Sequence, residues 1–510
     1  MLAKVTSAAI VGLDAVPIDV EVDIASQGLP AFTIVGLPDK AVEEAKERVR
    51  SALKNSGADF PAKRITVNLA PADLPKEGPA YDLPIALGIL IASGQLAGKP
   101  GTALVFGELS LDGQVRSIRG ALPFALLAKK KRASGIFVPS ANAAEAALVS
   151  GVDVYAIDSL ESLFLHFSGQ KPLSPHPPTN LMSLLTQGET HFDMADIRGQ
   201  EQAKRVLEIA AAGGHNLLMK GPPGAGKTLL ARTMASILPQ LTFDEVLETT
   251  KIYSIAGALG DNIIVTARPF RAPHHTTSLV GLIGGGSKPQ PGEVTLAHRG
   301  VLFLDEFPEF PRQLLESLRQ PLEDHAITIS RSQRKVSYPA NVTLVAAQNP
   351  CPCGFFGDEK RQCQCSPSQL LRYRRRLSGP ILDRIDLHIT VPAIPIDKLT
   401  GQKKADAETS EQVRERVEKA RQRQAKRFAK THLTTNADMS SKDVEKYSQL
   451  TPPCLVLLRQ AVTSMQLSGR SYYRIIKVAQ TIADLSGSPQ ITPSHIAEAL
   501  QYRPKQDTLS

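Results

Sequence analysis

The stretch Asn216-Leu-Leu-Met-Lys-Gly221-Pro222-Pro223-Gly224-Ala225-Gly226-Lys227-Thr228-Leu-Leu decides the fold. A short apolar run leads into a glycine-rich turn, and the turn opens onto helix-forming residues. Gly221 to Thr228 fit the pattern G-x-x-x-x-G-K-[ST] at every fixed position. Glycines allow the backbone N–H groups to turn inward around phosphate oxygens, and a helix N-terminus adds a positive dipole. In this pattern Lys227 reaches the terminal phosphates and the Thr228 hydroxyl ligates Mg²⁺. An ordinary glycine turn requires neither the Lys-Thr pair nor these flanks. The sequence therefore predicts an α/β nucleotide-binding domain with ATP and Mg²⁺ as cofactors.

Such a loop needs an acid further along the chain. Residues 301–304 (VLFL) form a continuous apolar strand ending in Asp305-Glu306, the Walker B form. Asp305 is expected in the Mg²⁺ shell, with Glu306 as the general base that polarises water. Residues 341–348 (NVTLVAAQ) predict another strand, and Asn349 at its tip would sit beside the γ-phosphate as a water-positioning sensor. Alone, an Asn before Pro350 is only a turn residue. Behind the other two motifs it is a candidate catalytic side chain.

These three motifs, together with Leu382-Asp383-Arg384-Ile385-Asp386-Leu387 and Gly469-Arg470-Ser471, closely resemble the magnesium-chelatase-like AAA+ ATPases. Over nearly the whole chain the likeness is to the YifB/ComM family. The resemblance implies an AAA+ core with a helical lid. Within it, Arg384 matches the arginine finger that enters a neighbouring subunit's ATP site, and Arg470 matches the sensor-2 arginine of the lid, with Arg474 as its alternate. A guanidinium at either place stabilises charge on the transferring phosphoryl group. An arginine supplied in trans implies a homo-oligomeric ring, a hexamer in this family.

More residues separate the first two motifs than a minimal core needs. They include Arg268-Pro-Phe-Arg271-Ala-Pro-His274-His275 and the glycine-rich stretch 281–286, and resemble the clade's helix-2 insert facing a central pore. The paired histidines lack a carboxylate or cysteine at ligand spacing, which argues against a metal there. Residues 326–338 alternate apolar and polar around Arg331, Arg334 and Lys335, predicting a β-hairpin with a basic tip that matches the pre-sensor hairpin of pore-forming relatives. A cationic tip suits a DNA backbone whose sequence is not read. Residues 413–430 add eight Lys/Arg against two Glu, although such runs on a helix are usually a solvated face.

Four of the five cysteines crowd into one place, as Cys351-x-Cys353 and Cys363-x-Cys365. Four thiolates can close a tetrahedral Zn²⁺ site of structural type; free thiols or a redox pair are the alternatives.

The residues before the nucleotide-binding stretch have a different character. Val16, Ile18, Val20, Val22 and Ile24 alternate with acids, predicting a strand with one wet face, and 39–55 has helical periodicity. Residues 70–94 and 107–128 resemble the Lon protease fold. Ala80 and Leu122 stand where that family carries its nucleophilic Ser and its Lys, so Ser-Lys chemistry has no groups to run on. The resemblance implies scaffolding and DNA contact rather than peptide cleavage. The expected division is 1–168 Lon-like, 169–190 a linker with four prolines in 169–180, 191–395 the AAA+ core and 396–510 the lid.

Composition agrees with this class. A chain of 510 residues suggests about three domains. With 42% hydrophobic residues the chain has material for cores, which excludes wholesale disorder. The absence of Trp and 5% aromatics disfavour an aromatic-stacking module. The net charge of +9 alone barely favours a nucleic-acid partner. No run approaches a membrane-spanning length and the first residues make no secretion signal, so the expectation is a cytoplasmic protein without membrane contact. The expected activity is a DNA motor, a helicase or branch-migration translocase in recombination and natural transformation, with recombination proteins as partners. A metal-chelatase motor subunit and an AAA+ remodeller of a protein partner are the alternatives.

Overall fold

The computed structural model describes residues 1–181, 184, 192–260, 262–286, 289–331, 334–358, 361–393 and 407–503. They form two compact units, 1–187 with 243–266, and 188–242 with 267–510. No helix among the described residues is long and apolar enough to cross a membrane.

The first unit is built on a seven-stranded mixed sheet in the order Ala31–Val35, Arg64–Ala70, Asp14–Ile24, Leu2–Val11, Leu104–Val105, Ile136–Pro139, Val154–Ile157. The alternation in the strand Asp14–Ile24 does what period two requires, burying Ile18, Val20 and Val22 and leaving Asp23 in solvent. Helix Asp82–Ala92, buried along its whole length, lies on this sheet. The helical pattern of 39–55 is realised as two pieces, Lys40–Glu43 and Ala45–Asn55. Asp82 in the buried helix is paired with Arg48 at 2.6 Å, which allows a carboxylate to sit in that interior.

Two expectations about organisation change. The proline-rich stretch, expected as a linker, is strapped to the first unit over its described part: the His176 N–H donates to Val154 O at 2.6 Å and the Thr179 N–H to Ala147 O at 3.1 Å. The carbonyl of an edge strand is open to any passing donor, so a chain without periodicity can still be held. Residues 182–183 and 185–190 of that stretch lie outside the described residues. The second change concerns 243–266, expected inside the AAA+ core. Its helix Phe243–Ala256 belongs to the first unit, where the Gly120 N–H donates to Ser254 Oγ at 3.1 Å and Ser254 Oγ donates to Glu145 Oε1 at 2.5 Å.

The second unit carries five parallel strands in the order Phe270–Arg271, Val301–Leu304, Thr343–Gln348, Leu217–Lys220, Leu387–Thr390. Most are continuous apolar runs, as strands covered on both faces must be. Helices Glu201–Gly213 and Lys227–Ile237 pack with lid helices Ser410–Phe428, Pro452–Ser464, Gly469–Ser486 and Pro493–Gln501 around one shared core that includes Val206, Met234, Val417, Ile476 and Ile496. Thr409 caps the first lid helix by accepting from the Gln412 N–H, and Ser468 does the same for Ser471. The boundary expected at 395/396 falls outside the described residues.

Candidate nucleotide-binding site

Because all five strands run parallel, their carboxyl ends open on one edge, where α/β sheets place ligands. Three of the predicted motifs emerge there side by side. The strand Thr343–Gln348 lies between Leu217–Lys220 and Val301–Leu304, so Asn349 leaves the sheet between the glycine loop and the acidic pair.

Gly224 and Gly226 sit at φ +75° and +85°, and a Cβ at either would meet nothing within 4 Å. The loop therefore turns in the left-handed region and keeps its outer side open, the shape of a phosphate cradle. Gly221 anchors its base: its N–H donates to Gln348 O at 3.1 Å. Lys227, at 8% exposure, donates from Nζ to Gly221 O at 2.8 Å, Pro222 O at 3.0 Å and Asn349 Oδ1 at 3.1 Å. Burial draws its ammonium below the ordinary lysine value, against the opposing pull of Asp305. Thr228 Oγ1 donates to Asp305 Oδ2 at 2.9 Å, so the two expected Mg²⁺ groups already face each other, and this hard-oxygen pair fits that ion.

Glu306 stands at φ +51° and faces His275, with Nδ1 and Oε2 3.3 Å apart. His275 packs against His274, ring centres 4.1 Å apart and planes tilted by 34°. The histidine pair thus meets a carboxylate that lies far from it in sequence. Gln200 was also not foreseen: its Nε2 donates to Pro392 O at 2.7 Å and faces Ala225 O at 3.5 Å, bracing the loop from behind.

Arg384 lies away from this constellation. At 6% exposure it pairs with Glu323 and donates to Pro380 O at 2.6 Å, while its Nε has no partner among the described residues. Arg470 is exposed at the start of helix Gly469–Ser486 and has no ion pair among the described residues, whereas Arg474 donates to Asp386 Oδ1 at 2.8 Å. Asp386 belongs to a buried network that sequence reading missed. Its Oδ2 faces His215 Nδ1 at 3.2 Å, and His215 Nε2 faces Thr481 Oγ1 of the lid at 2.8 Å. Asn216 clamps the strand beginnings, donating to Arg384 O and accepting from the Leu344 N–H at 2.8 Å.

The basic hairpin forms as expected from strands Ala326–Arg331 and Arg334–Pro339, and Tyr338 Oη ties it to Pro289 O at 2.8 Å. Lys335 is exposed; residues 332–333 and the side chains of Arg331 and Arg334 lie outside what is described. Four of the eight basic residues in 413–430 are committed inside the unit. Arg416 pairs with Glu208 and Glu408, Arg421 and Arg423 donate to the carbonyls of Ala211 and Asp484, and Arg427 pairs with Asp484. Lys419, Lys426 and Lys430 remain exposed.

The four clustered cysteines come together with all Sγ atoms within 4.8 Å of one another, and no other group of metal-ligating side chains does so among the described residues. Backbone N–H groups of Phe355 and Gln364 draw the Cys353 thiol down to about 6. In the first unit, Ala80 lies in the turn Pro79–Tyr81 and Leu122 is buried at the start of helix Ala121–Lys131, so neither position offers a hydroxyl or an amine.

Three family models match the chain: the one described as magnesium chelatase, subunit ChlI, over residues 193–399, subunit ChlI of Mg-chelatase over 20–142, and the ChlI C-terminal model over 407–503. Competence protein ComM of Haemophilus influenzae is 47% identical, covering 98% of this chain and 97% of its own length. YifB of Escherichia coli is 45% identical with the same coverage. Lon protease 2 of Bacillus subtilis is 30% identical over 31% of the chain and 31% of its own length. With three magnesium-chelatase models along its length and full-length relatives above 40% identity, the chain belongs to the YifB/ComM family of magnesium-chelatase-like AAA+ proteins, a P-loop core and helical lid preceded by a Lon-like α/β unit.

Proposed function

We propose that this protein is an ATP-hydrolysing ring motor, a hexamer, that moves on DNA and drives branch migration or unwinding in recombination. The convergence of Lys227, Thr228, Asp305, Glu306 and Asn349 at one edge of the parallel sheet carries the hydrolytic part of this reading. Lys227 would give up its carbonyl partners for phosphate oxygens, and Thr228 and Asp305 would hold the metal. Mg²⁺ bound with ATP supplies neutralisation of the charge that develops on the transferring group. Glu306 leaves His275 and accepts the proton of the attacking water, which Asn349 orients. Arg384 of one subunit, released from Glu323, would serve the next subunit's site, and Arg470 would close the lid over its own.

Support for DNA comes from the exposed Lys335 on the basic hairpin, and the name of the relative, competence protein ComM, supports a role in competence. The internal commitment of Arg416, Arg421, Arg423 and Arg427 removes part of the charge argument and shifts its weight to the hairpin. Zn²⁺ is the ion that the four-cysteine cluster suits, in a closed structural site.

The deciding experiment measures ATP turnover and three-stranded branch migration by the wild-type protein. DNA is expected to stimulate turnover, with steep loss of DNA binding as salt rises. Turnover indifferent to DNA but raised by a protein or porphyrin-bound partner would overturn the reading in favour of a remodeller or a chelatase subunit.

A further inference from the structure

The chain that follows the sensor position is built around sulfur. Cys351 is buried, and its Sγ stands 3.3 Å from that of Cys353 and 3.7 Å from that of Cys363, with Cys353 and Cys363 3.6 Å apart. A disulfide would set two sulfurs about 2.05 Å apart; all of these thiols are free. Four sulfurs about 2.3 Å from one Zn²⁺ stand about 3.8 Å apart at tetrahedral angles, so the cluster needs only small adjustment to accept the ion. The Phe356 N–H points at Cys351 Sγ at 3.3 Å and the Cys365 N–H at Cys363 Sγ at 3.5 Å, an arrangement that favours metal-bound thiolates. A complete set of four soft ligands leaves no open coordination position, which marks a structural centre.

The same loop reaches the nucleotide site from two sides. Gly354, between the two cysteine pairs, is at φ +87°, and a Cβ there would lie 2.6 Å from Pro223 Cδ and 2.7 Å from Cγ. The turn is thus pressed directly against the proline of the phosphate-binding loop. On the other side, Cys351 is two residues beyond Asn349, which holds Lys227 Nζ. Helix Pro367–Arg374, which begins two residues after Cys365, returns Tyr373 Oη to the Asn349 carbonyl at 3.3 Å. A metal at the four sulfurs would close this circuit from Asn349 through the cluster to Tyr373 and back.

We infer that Cys351, Cys353, Cys363 and Cys365 hold one Zn²⁺ whose loop braces Pro223 and Asn349, so that nucleotide affinity and turnover depend on the metal. The inference rests on the ATPase reading above for turnover, but not for metal content or affinity. The test takes the purified full-length chain and measures metal by atomic emission and affinity with a fluorescent ATP analogue.

One zinc per chain is expected in wild type and none in Cys363→Ser. Absence of metal, or iron with inorganic sulfide in its place, overturns the site. Gly354→Ala removes no sulfur, but it drives a methyl into Pro223 and strains a turn at φ +87°. It is expected to keep its zinc and to bind nucleotide roughly tenfold more weakly, a change of about 1.4 kcal/mol. Wild-type affinity in zinc-bound Gly354→Ala overturns the brace, whether or not Cys363→Ser folds. If the wild-type chain binds nucleotide but turns none over under any condition, the motor reading falls and the affinities alone decide the brace.

Discussion

Lys227 spreads its ammonium over two carbonyls of its own loop and the Asn349 side chain, so its loss is felt at both motifs. Lys227→Ala is expected to lower ATP turnover by roughly a hundredfold or more, read by phosphate release, because the donor aimed at developing charge is gone. Glu306→Gln should separate binding from chemistry: nucleotide affinity is kept while turnover falls by roughly 10² to 10⁴, the contribution of a general base. Equal losses of affinity in both variants would argue against Glu306 as the base. The residues of the glycine loop and acidic pair were legible because phosphate chemistry fixes their spacing along the chain. His275 opposite Glu306 and His215 opposite Asp386 were not, because those partners meet only in three dimensions; the second pair is separated by 171 positions.

Among the elements, the residue that leads into strand Leu387–Thr390, Asp386, is joined to the lid helix Gly469–Ser486 by a largely buried charge pair with Arg474. Burial opposes ionisation of Asp386, but Arg474 and His215 outweigh it and hold the carboxyl well below the usual range. A carboxyl depressed in the folded state adds stability above about pH 4, which is lost as pH falls further. His388, on the same strand, is drawn down to about 4 by burial and by Arg503, and its Nε2 is sealed without a partner among the described residues. A histidine depressed in the folded state stabilises the neutral form above about pH 6.5, and that stability drains away between about 6.5 and 4. The second unit should therefore lose up to about 3 kcal/mol over that interval in denaturant titrations, and His388→Gln should flatten the loss. A profile identical to wild type in that variant would remove His388 from the account.

Strands and helices themselves were largely visible: alternation announced Asp14–Ile24, and apolar runs announced the parallel strands. The basic helix Ser410–Phe428 was misjudged in weight. Glu208 and Asp484, which pair with Arg416 and Arg427, are remote in sequence and give no local signal.

At the scale of the whole molecule, the first unit is completed by a helix that the sequence assigns to its neighbour. Ser254 accepts from the Gly120 N–H and donates to Glu145, which also accepts from the Leu122 N–H at 2.8 Å; burial holds that carboxyl above its ordinary value. Ser254→Ala leaves a buried donor and part of a buried carboxyl unanswered, and should cost about 1–3 kcal/mol in the unfolding of this unit. A loss confined to the second unit's transition would contradict the assignment. This interleaving was invisible to pattern reading, since periodicity reports that a helix exists and not which sheet it will lie on.

That helix carries a lesson about ancestry and dissection. The chain passes between the units at 187/188, 242/243 and 266/267. Genes usually trade domains as contiguous cassettes, cut once at each end. Here a cut after residue 187 would release an N-terminal piece lacking residues 243–266, so no single cut isolates either unit.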